Sequence, residues 1–335
     1  MRRFRLSAAV LVSASLLLAG CSGSDDSSSG PDSQQVAGGS TLDSTWPLTG
    51  LPVSGSESAA KQRPVLVTKM DNTASSAPQL GLGKADMVVE ELVEGGLTRL
   101  AAFYYSKLPS RVGPVRSMRA SDIGIVSPVH ATIVTSGAAG KTIARIKGAG
   151  IKFFQEGSAG LSRDSSRSAP YNLMADLATV AGKAKRREAR PADYLPWGDA
   201  KDLPKGQPAH RIAATFSGGH TTNWTYTKGG YVNANTYAAK GDEFPADNVL
   251  VLRVKLGDAG YLDPAGNHVP ETKFTGTGAA LLFHDGRLVR GTWKKSSLTS
   301  SLQLSTKAGK LPVPAGHTWV ELVPVSAGGN VTFTK

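Results

Sequence analysis

The sequence predicts an α+β fold: a mixed α/β N-terminal domain followed by a β-rich C-terminal domain. Three observations predict it. Alternating apolar segments and segments of helical spacing are interleaved through the first half. A proline-rich stretch with little periodicity then interrupts the chain. Beyond it, strand-like alternation dominates.

Residues 1–20 read as a secretory signal. Arg2, Arg3 and Arg5 form a positive start, and an apolar run extends from Leu6 to Ala19. That run is shorter than the roughly 18 residues a membrane span needs, and its flanks suit an exported chain. It ends in Leu18-Ala19-Gly20-Cys21, a lipobox, in which Cys21 is acylated and becomes the mature N-terminus. Cys21 is the only cysteine, so its acylation leaves no thiol for a disulfide or a thiolate metal site. A diacylglyceryl group anchors a protein without a transmembrane helix. The expected location is the outer face of the cytoplasmic membrane. Residues 21–45, rich in Ser, Gly and Asp, are expected to form a flexible tether.

Residues 46–189 are expected to form the N-terminal domain. RPVLVTKMD, ADMVVEELV, LTRLAAFYYS and ATIVTS read as strands, the second and third flanking a turn at Glu94-Gly95-Gly96. Helical spacing appears in AGKTIARIKGAG and again from Tyr171, where Leu173, Leu177 and Val180 share a face. Pro191, Pro196, Pro204 and Pro208 mark residues 190–209 as a linker. Residues 210–335 are expected to be mostly β. DNVLVLRVKL alternates, LLFHDGRLVRGTW reads as a hairpin about Asp285-Gly286, and GHTWVELVPV reads as a closing strand.

The formal charge of +12 falls by three, to +9, when the signal arginines are removed. A basic body favours anionic partners, which outside the cell are lipid head groups, phosphate-bearing polymers and muropeptide carboxylates. Nucleic acid is not expected, because the chain is exported and has no recognisable binding module. Several motifs can be ruled down. TSGAAGKT, from Thr135 to Thr142, lacks the first glycine of a P-loop, although Lys141 remains a candidate anion contact. The six histidines form no H-x-x-x-H pair, so neither a metal nor a cofactor is expected. EGSAG has Glu156 where a nucleophile elbow needs glycine, and Ser58-Ala-Ala-Lys61 lies beside the tether without companion motifs.

What remains is a set of charges at strand ends and loops. Asp71, Glu90 and Glu94 are candidate acid–base residues for glycan cleavage. Asn72, Arg99, Arg116, Arg119, Asp122, Arg163, Asp164, Arg167 and Asn172 are candidate ligand contacts, since arginine forks bind carboxylate or phosphate in bidentate fashion. The same residues could equally form an internal ion-pair network.

The order of motifs gives a further indication. PLTGLP, RPVLVTKMDN, PQLGLGKADMVVE, EGGLTR, GPVRSMR and RDSSRSAPYNL follow one another through the first half. DNVLVL, GTGAALLFHDGRLVRGTW and PAGHTWVELVP follow in the second. Together they resemble the YerB-like lipoprotein family, described as paired N-terminal and C-terminal domains of unknown function. The resemblance covers nearly everything after the tether. It implies a lipid-anchored envelope protein and brings no activity with it. The family pattern usually reads A-P-H-N where this chain has Ala169-Pro170-Tyr171-Asn172, so a general base at that histidine would be missing here. The family's Gly-Gly-Ser falls at Ser136-Gly137, which further demotes the P-loop. Two functions stay open: an envelope protein binding an anionic cell-wall or lipid-linked ligand or a partner protein, and an envelope hydrolase or lyase.

Overall fold

In the computed structural model, residues 45–187 and 189–335 are described in full, preceded by the backbone of a short ladder, β1 (Gln35–Val36) with β2 (Ser40–Thr41). The expected signal peptide, Cys21 and nearly all of the expected tether lie outside the described residues.

The first half begins with β3 (Leu66–Asp71), β4 (Met87–Leu92) and β5 (Thr98–Tyr104). Next come α1 (Asp122–Val126), β6 (Thr132–Val134), α2 (Gly140–Gly148) and β7 (Phe153–Phe154). It ends with β8 (Leu161–Arg163), β9 (Leu173–Ala175) and α3 (Leu177–Lys183). The apolar alternations therefore become strands where the sequence places them. The helix expected from Tyr171 differs. Leu173 lies in β9, paired with β8, and the helix begins only at Leu177. Asp176 sets that boundary, because its carboxylate accepts the amides of Ala178 at 3.0 Å and Thr179 at 3.2 Å as an N-cap.

The segment expected as a linker packs along the body. Tyr194 and Leu195 are buried, and the Tyr194 hydroxyl donates to the Ile125 carbonyl at 2.9 Å. It carries β10 (Trp197–Gly198) and β11 (Gln207–Pro208). Then follow β12 (Arg211–Ser217), β13 (His220–Thr227), β14 (Gly230–Asn233), β15 (Asn248–Leu262), β16 (His268–Lys273), β17 (Gly276–His284) and β18 (Arg287–Lys295). Asp285 and Gly286 join β17 to β18 with φ of 46° and 67°, the left-handed pair that a type I′ turn requires. The chain closes with β19 (Gln303–Thr306), β20 (Gly309–Lys310), β21 (Val313–Pro314), β22 (Thr318–Pro324) and β23 (Asn330–Thr334). TWVELVP is thus not the closing strand. β23 follows it and pairs with β12.

One large sheet runs through both halves in the order β20-β19-β18-β17-β15-β22-β4-β5-β3-β6-β7. Its central strand, β22, is parallel to both neighbours, β15 from the second half and β4 from the first. All seven residues of β22 are buried, as befits a parallel strand covered on both faces. Val67, Val89, Phe103, Val320 and Leu322 share one core. Leu100, Trp319, Trp224 and Phe216 share the other, with the four-stranded sheet β14-β13-β12-β23 contributing to it. The two-domain chain is 42% strand and 12% helix, so the α+β expectation holds only in part. Among the described residues the three α-helices of the first half are short, at five, nine and seven residues.

Because β22 is hydrogen-bonded into both halves, Leu322→Ala is expected to cost about 2–5 kcal/mol. It should lower one unfolding transition, seen alike by circular dichroism and tryptophan fluorescence. Two separated transitions would contradict the shared sheet.

Candidate functional site

Neighbouring residues on a strand point to opposite faces. Glu90 and Glu91 of β4 therefore enter different cores, and both are fully buried. A buried carboxyl group must be hydrogen-bonded, neutralised or paired, and the two glutamates are accommodated differently.

Glu90 is surrounded by donors from both halves. Its Oε1 accepts from Asn72 Nδ2 at 2.9 Å and Thr98 Oγ1 at 2.7 Å, and its Oε2 accepts from Trp319 Nε1 at 3.1 Å and Thr222 Oγ1 at 3.0 Å. His220 Nε2 lies 2.9 Å from Oε1, with the imidazole side chain 8% exposed. Across the parallel ladder, Glu321 is the register partner of Glu90. Its Oε1 accepts from Trp224 Nε1 at 2.8 Å. Burial, reinforced by the Glu90 charge, pushes Glu321 well above the usual carboxylate range. Burial also disfavours ionisation of Glu90, but the bond and charge of His220, with the Thr98 and Thr222 hydrogen bonds, together hold it below the ordinary value. Conversely, burial lowers His220, and Glu90 outweighs burial to raise it. The consistent state is a neutral Glu321 beside an ionised Glu90 and a protonated His220.

On the opposite face, Lys69 is wholly buried between Glu91 Oε1 at 2.9 Å and Asp122 Oδ1 at 2.8 Å. Burial works against its charge, yet the two carboxylates raise it. Burial raises Glu91, with Lys69 opposing. Asp122 also accepts the Arg119 amide at 2.6 Å, which ties this triad to a more exposed cluster.

That cluster gathers three arginines and two carboxylates. Arg119 forks onto Glu94, with Nε 2.8 Å from Oε2. Arg99 Nη2 lies 3.6 Å from Glu94. Burial opposes ionisation of Glu94, but the Arg119 hydrogen bond together with the Arg119 and Arg99 charges holds it below its ordinary value. Burial, then the Arg119 charge, lowers Arg99 to about 10. Arg116 Nε lies 3.0 Å from Asp71 Oδ2, and its guanidinium stacks over Tyr171 at 5.2 Å. Arg116 is the most open of the three, with 20% of its side chain exposed against 8% and 9% for Arg99 and Arg119.

The structure thus brings Asp71, Glu94, Arg99, Arg116 and Arg119 together, with Asp122 behind them. Glu90 and Asn72 belong to the opposite face. Arg163, Asp164, Arg167 and Asn172 lie on the β8–β9 hairpin. There Arg163 pairs with Glu156 and donates to Asn172 Oδ1 at 2.6 Å, Asp164 pairs with Arg111, and Arg167 donates to the Ser76 carbonyl at 2.6 Å. Tyr171, from the same hairpin, reaches Arg116. Lys141 donates to the Gly260 carbonyl at 2.6 Å, which makes it a docking contact between α2 and the β15–β16 hairpin. Sequence reasoning missed Lys69, His220 and Glu321. A signal existed for two of them: Lys69 and Glu321 are ionisable residues set in the middle of strands rich in large apolar residues.

The chain matches the family described as "Protein of unknown function (DUF3048)", through its N-terminal domain at residues 48–190 and its C-terminal domain at residues 212–320. It is 25% identical over 295 residues to YerB of Bacillus subtilis (strain 168), a protein named as a lipoprotein by inference. That match covers 83% of this chain and 86% of the relative. The crystal structure of the YerB protein from Bacillus subtilis has the same fold, with a TM-score of 0.70. It is 21% identical over 86% of this chain and 99% of that one.

Titration of the Glu90 network has a definite sign. A neutral Glu321 keeps its proton where an unfolded glutamate, with a pKa of about 4.3, has lost it. Unfolding then releases a proton, so stability falls as pH rises above that value. His220 acts in the same direction, its contribution being complete below about 6.5 and lost as pH passes its raised value. Glu321→Gln, which keeps one acceptor and one donor, should flatten the decline in melting temperature between about pH 5 and 9. Glu90→Gln should cost about 3 kcal/mol or more, because it strands His220. Thermal melts across pH check both, and an unchanged slope in Glu321→Gln would contradict the neutral assignment.

Proposed function

As this chain belongs to the DUF3048 family of YerB-like proteins, we propose that it is a lipid-anchored envelope protein that binds an anionic ligand at Arg116. The observation that carries this reading is the state of that guanidinium. It is partly exposed, stacked on Tyr171 and held at Nε beside Asp71. Its buried Nε meets Asp71 as an ion pair without a hydrogen bond, and among the described residues neither terminal nitrogen has a hydrogen-bond partner either. A preorganised fork with both ends free fits a carboxylate or phosphate in bidentate fashion. Burial and then the Arg119 and Arg116 charges lower Arg99 against the pull of Glu94 and Asp71, which is consistent with crowded positive charge at this corner. The expected partners are a cell-wall polymer or lipid-linked anion, met on the outer face of the membrane by a protein anchored through Cys21.

The alternative, a hydrolase or lyase acting through Asp71, Glu90 or Glu94, needs a substrate-accessible carboxylic acid that stays protonated. The glutamates held above their ordinary range in these two clusters, Glu91 and Glu321, are fully buried. Glu94, nearer the surface, is held ionised by Arg119. These observations favour binding over cleavage.

Arg116→Ala in the unacylated protein is expected to weaken binding to purified cell-wall fragments by roughly tenfold or more, the loss of about one charge-assisted pair. Its melting temperature should stay nearly unchanged. Undiminished binding overturns the reading, and collapse of the fold assigns Arg116 to structure instead. Arg119 is the wrong residue for this test, because removing it strands Glu94.

A further inference from the structure

A second cationic site lies far along the large sheet, in the half that does not contain Arg116. The outer edge of β18 is covered twice. Gln207 and Pro208 of β11 pair with Leu288 and Arg287, and Gln303–Ser305 of β19 pair with Lys294–Thr292. Residues 289–291 between them have no partner on that side among the described residues. The Ala209 amide donates to the Gly286 carbonyl, which fixes the alternation. Residues 286, 288, 290 and 292 direct their backbone groups to this edge. The amide and carbonyl of Arg290 therefore face an open notch.

The notch is about 600 Å³ and is lined by Lys205, Gly206, Gln207, Arg290, Thr306 and Lys307, among others. Three cations line it, and no carboxylate does. None of Lys205, Arg290 or Lys307 forms a salt bridge among the described residues, and neither does Arg287, which only donates to the Gly206 carbonyl at 3.0 Å. This contrasts with Arg99, Arg116 and Arg119, each of which meets a carboxylate. The Arg290 guanidinium stacks over the Phe333 ring at 5.4 Å, which limits its freedom before any ligand arrives.

We propose that this notch is a phosphate-binding site, in which the Arg290 amide and the Lys205, Arg290 and Lys307 side chains hold a phosphomonoester or phosphodiester. An outward-facing amide supplies a directed donor. Uncompensated cations supply the attraction, and the gap in the edge supplies the room. Phospholipid head groups and free phosphate esters offer the same group, so the probes separate them.

The test uses the unacylated protein with phosphatidylglycerol vesicles, phosphatidylcholine vesicles and soluble glycerol phosphate. Binding is followed by vesicle sedimentation and by the Arg290 amide resonance. Binding to either phosphate-bearing anion, with movement of that resonance, is expected. Vesicle binding alone identifies a head group, and glycerol phosphate binding identifies the free ester as sufficient. The Lys205→Ala/Arg290→Ala/Lys307→Ala variant should bind roughly tenfold or more weakly. A variant of equal charge, Lys84→Ala/Lys147→Ala/Lys240→Ala, should bind as the parent does. Lys205→Glu/Lys307→Glu should repeat the loss while Arg290 and its aromatic contact remain. Equal weakening in the charge-matched control, a stationary Arg290 amide, or no binding of any phosphate probe overturns the proposal.

Discussion

The structure depends on a parallel ladder that places two glutamates side by side. β22 lies between β15 and β4, and its register sets Glu321 against Glu90 in a fully buried core. Two carboxylates at the strand spacing of about 4.8 Å cannot both stay ionised without water. One must keep a proton, and the donors decide which. Asn72, Thr98, Thr222, Trp319 and His220 converge on Glu90, whereas Glu321 receives Trp224 and has Glu90 itself as neighbour. Since these donors come from both halves of the chain, the polar network and the shared sheet specify the same arrangement. A slip of one residue would turn Glu321 to the opposite core.

The same strand separates stability from recognition. On one face Glu90 joins the halves. On the other, Glu91 helps to neutralise Lys69, and Asp122 links that buried triad to the arginine cluster. The three arginines are paired to different degrees: Arg119 is doubly held by Glu94, Arg99 is held at longer range, and the most exposed, Arg116, meets only Asp71, through Nε. The ion-pair network and the proposed anion site therefore form one constellation. Its buried members surround Arg116, its outermost member, at which the ligand is proposed to bind.

Much of the local structure was legible in the sequence. Alternation located β3, β4 and β5, and Asp285-Gly286 located a hairpin whose positive φ values only such residues adopt readily. The charges of GPVRSMR and EGGLTR located the residues of the arginine cluster, although an ion-pair network and a ligand site were equally compatible with them. What was not legible depends on pairing at long range. Nothing local in TWVELVP indicates that it runs parallel to MVVEEL, more than two hundred residues earlier. Without that register, Glu90 looked like one more acid at a strand end, and the partners His220 and Glu321 had no reason to be joined to it. The helix expected from Tyr171 failed for a related reason. Helical spacing read through Leu173, but β8 claims that residue as a strand partner and the Asp176 cap delays the helix.

The proton on Glu321 is the point at which the sheet register, the polar network and the union of the halves meet. Infrared spectroscopy of the protein in heavy water at neutral pH tests it directly. A carbonyl band of a protonated carboxyl group should be present in the parent and absent from Glu321→Gln, with the rest of the spectrum unchanged. No such band at neutral pH, or one that survives the substitution, would contradict the account.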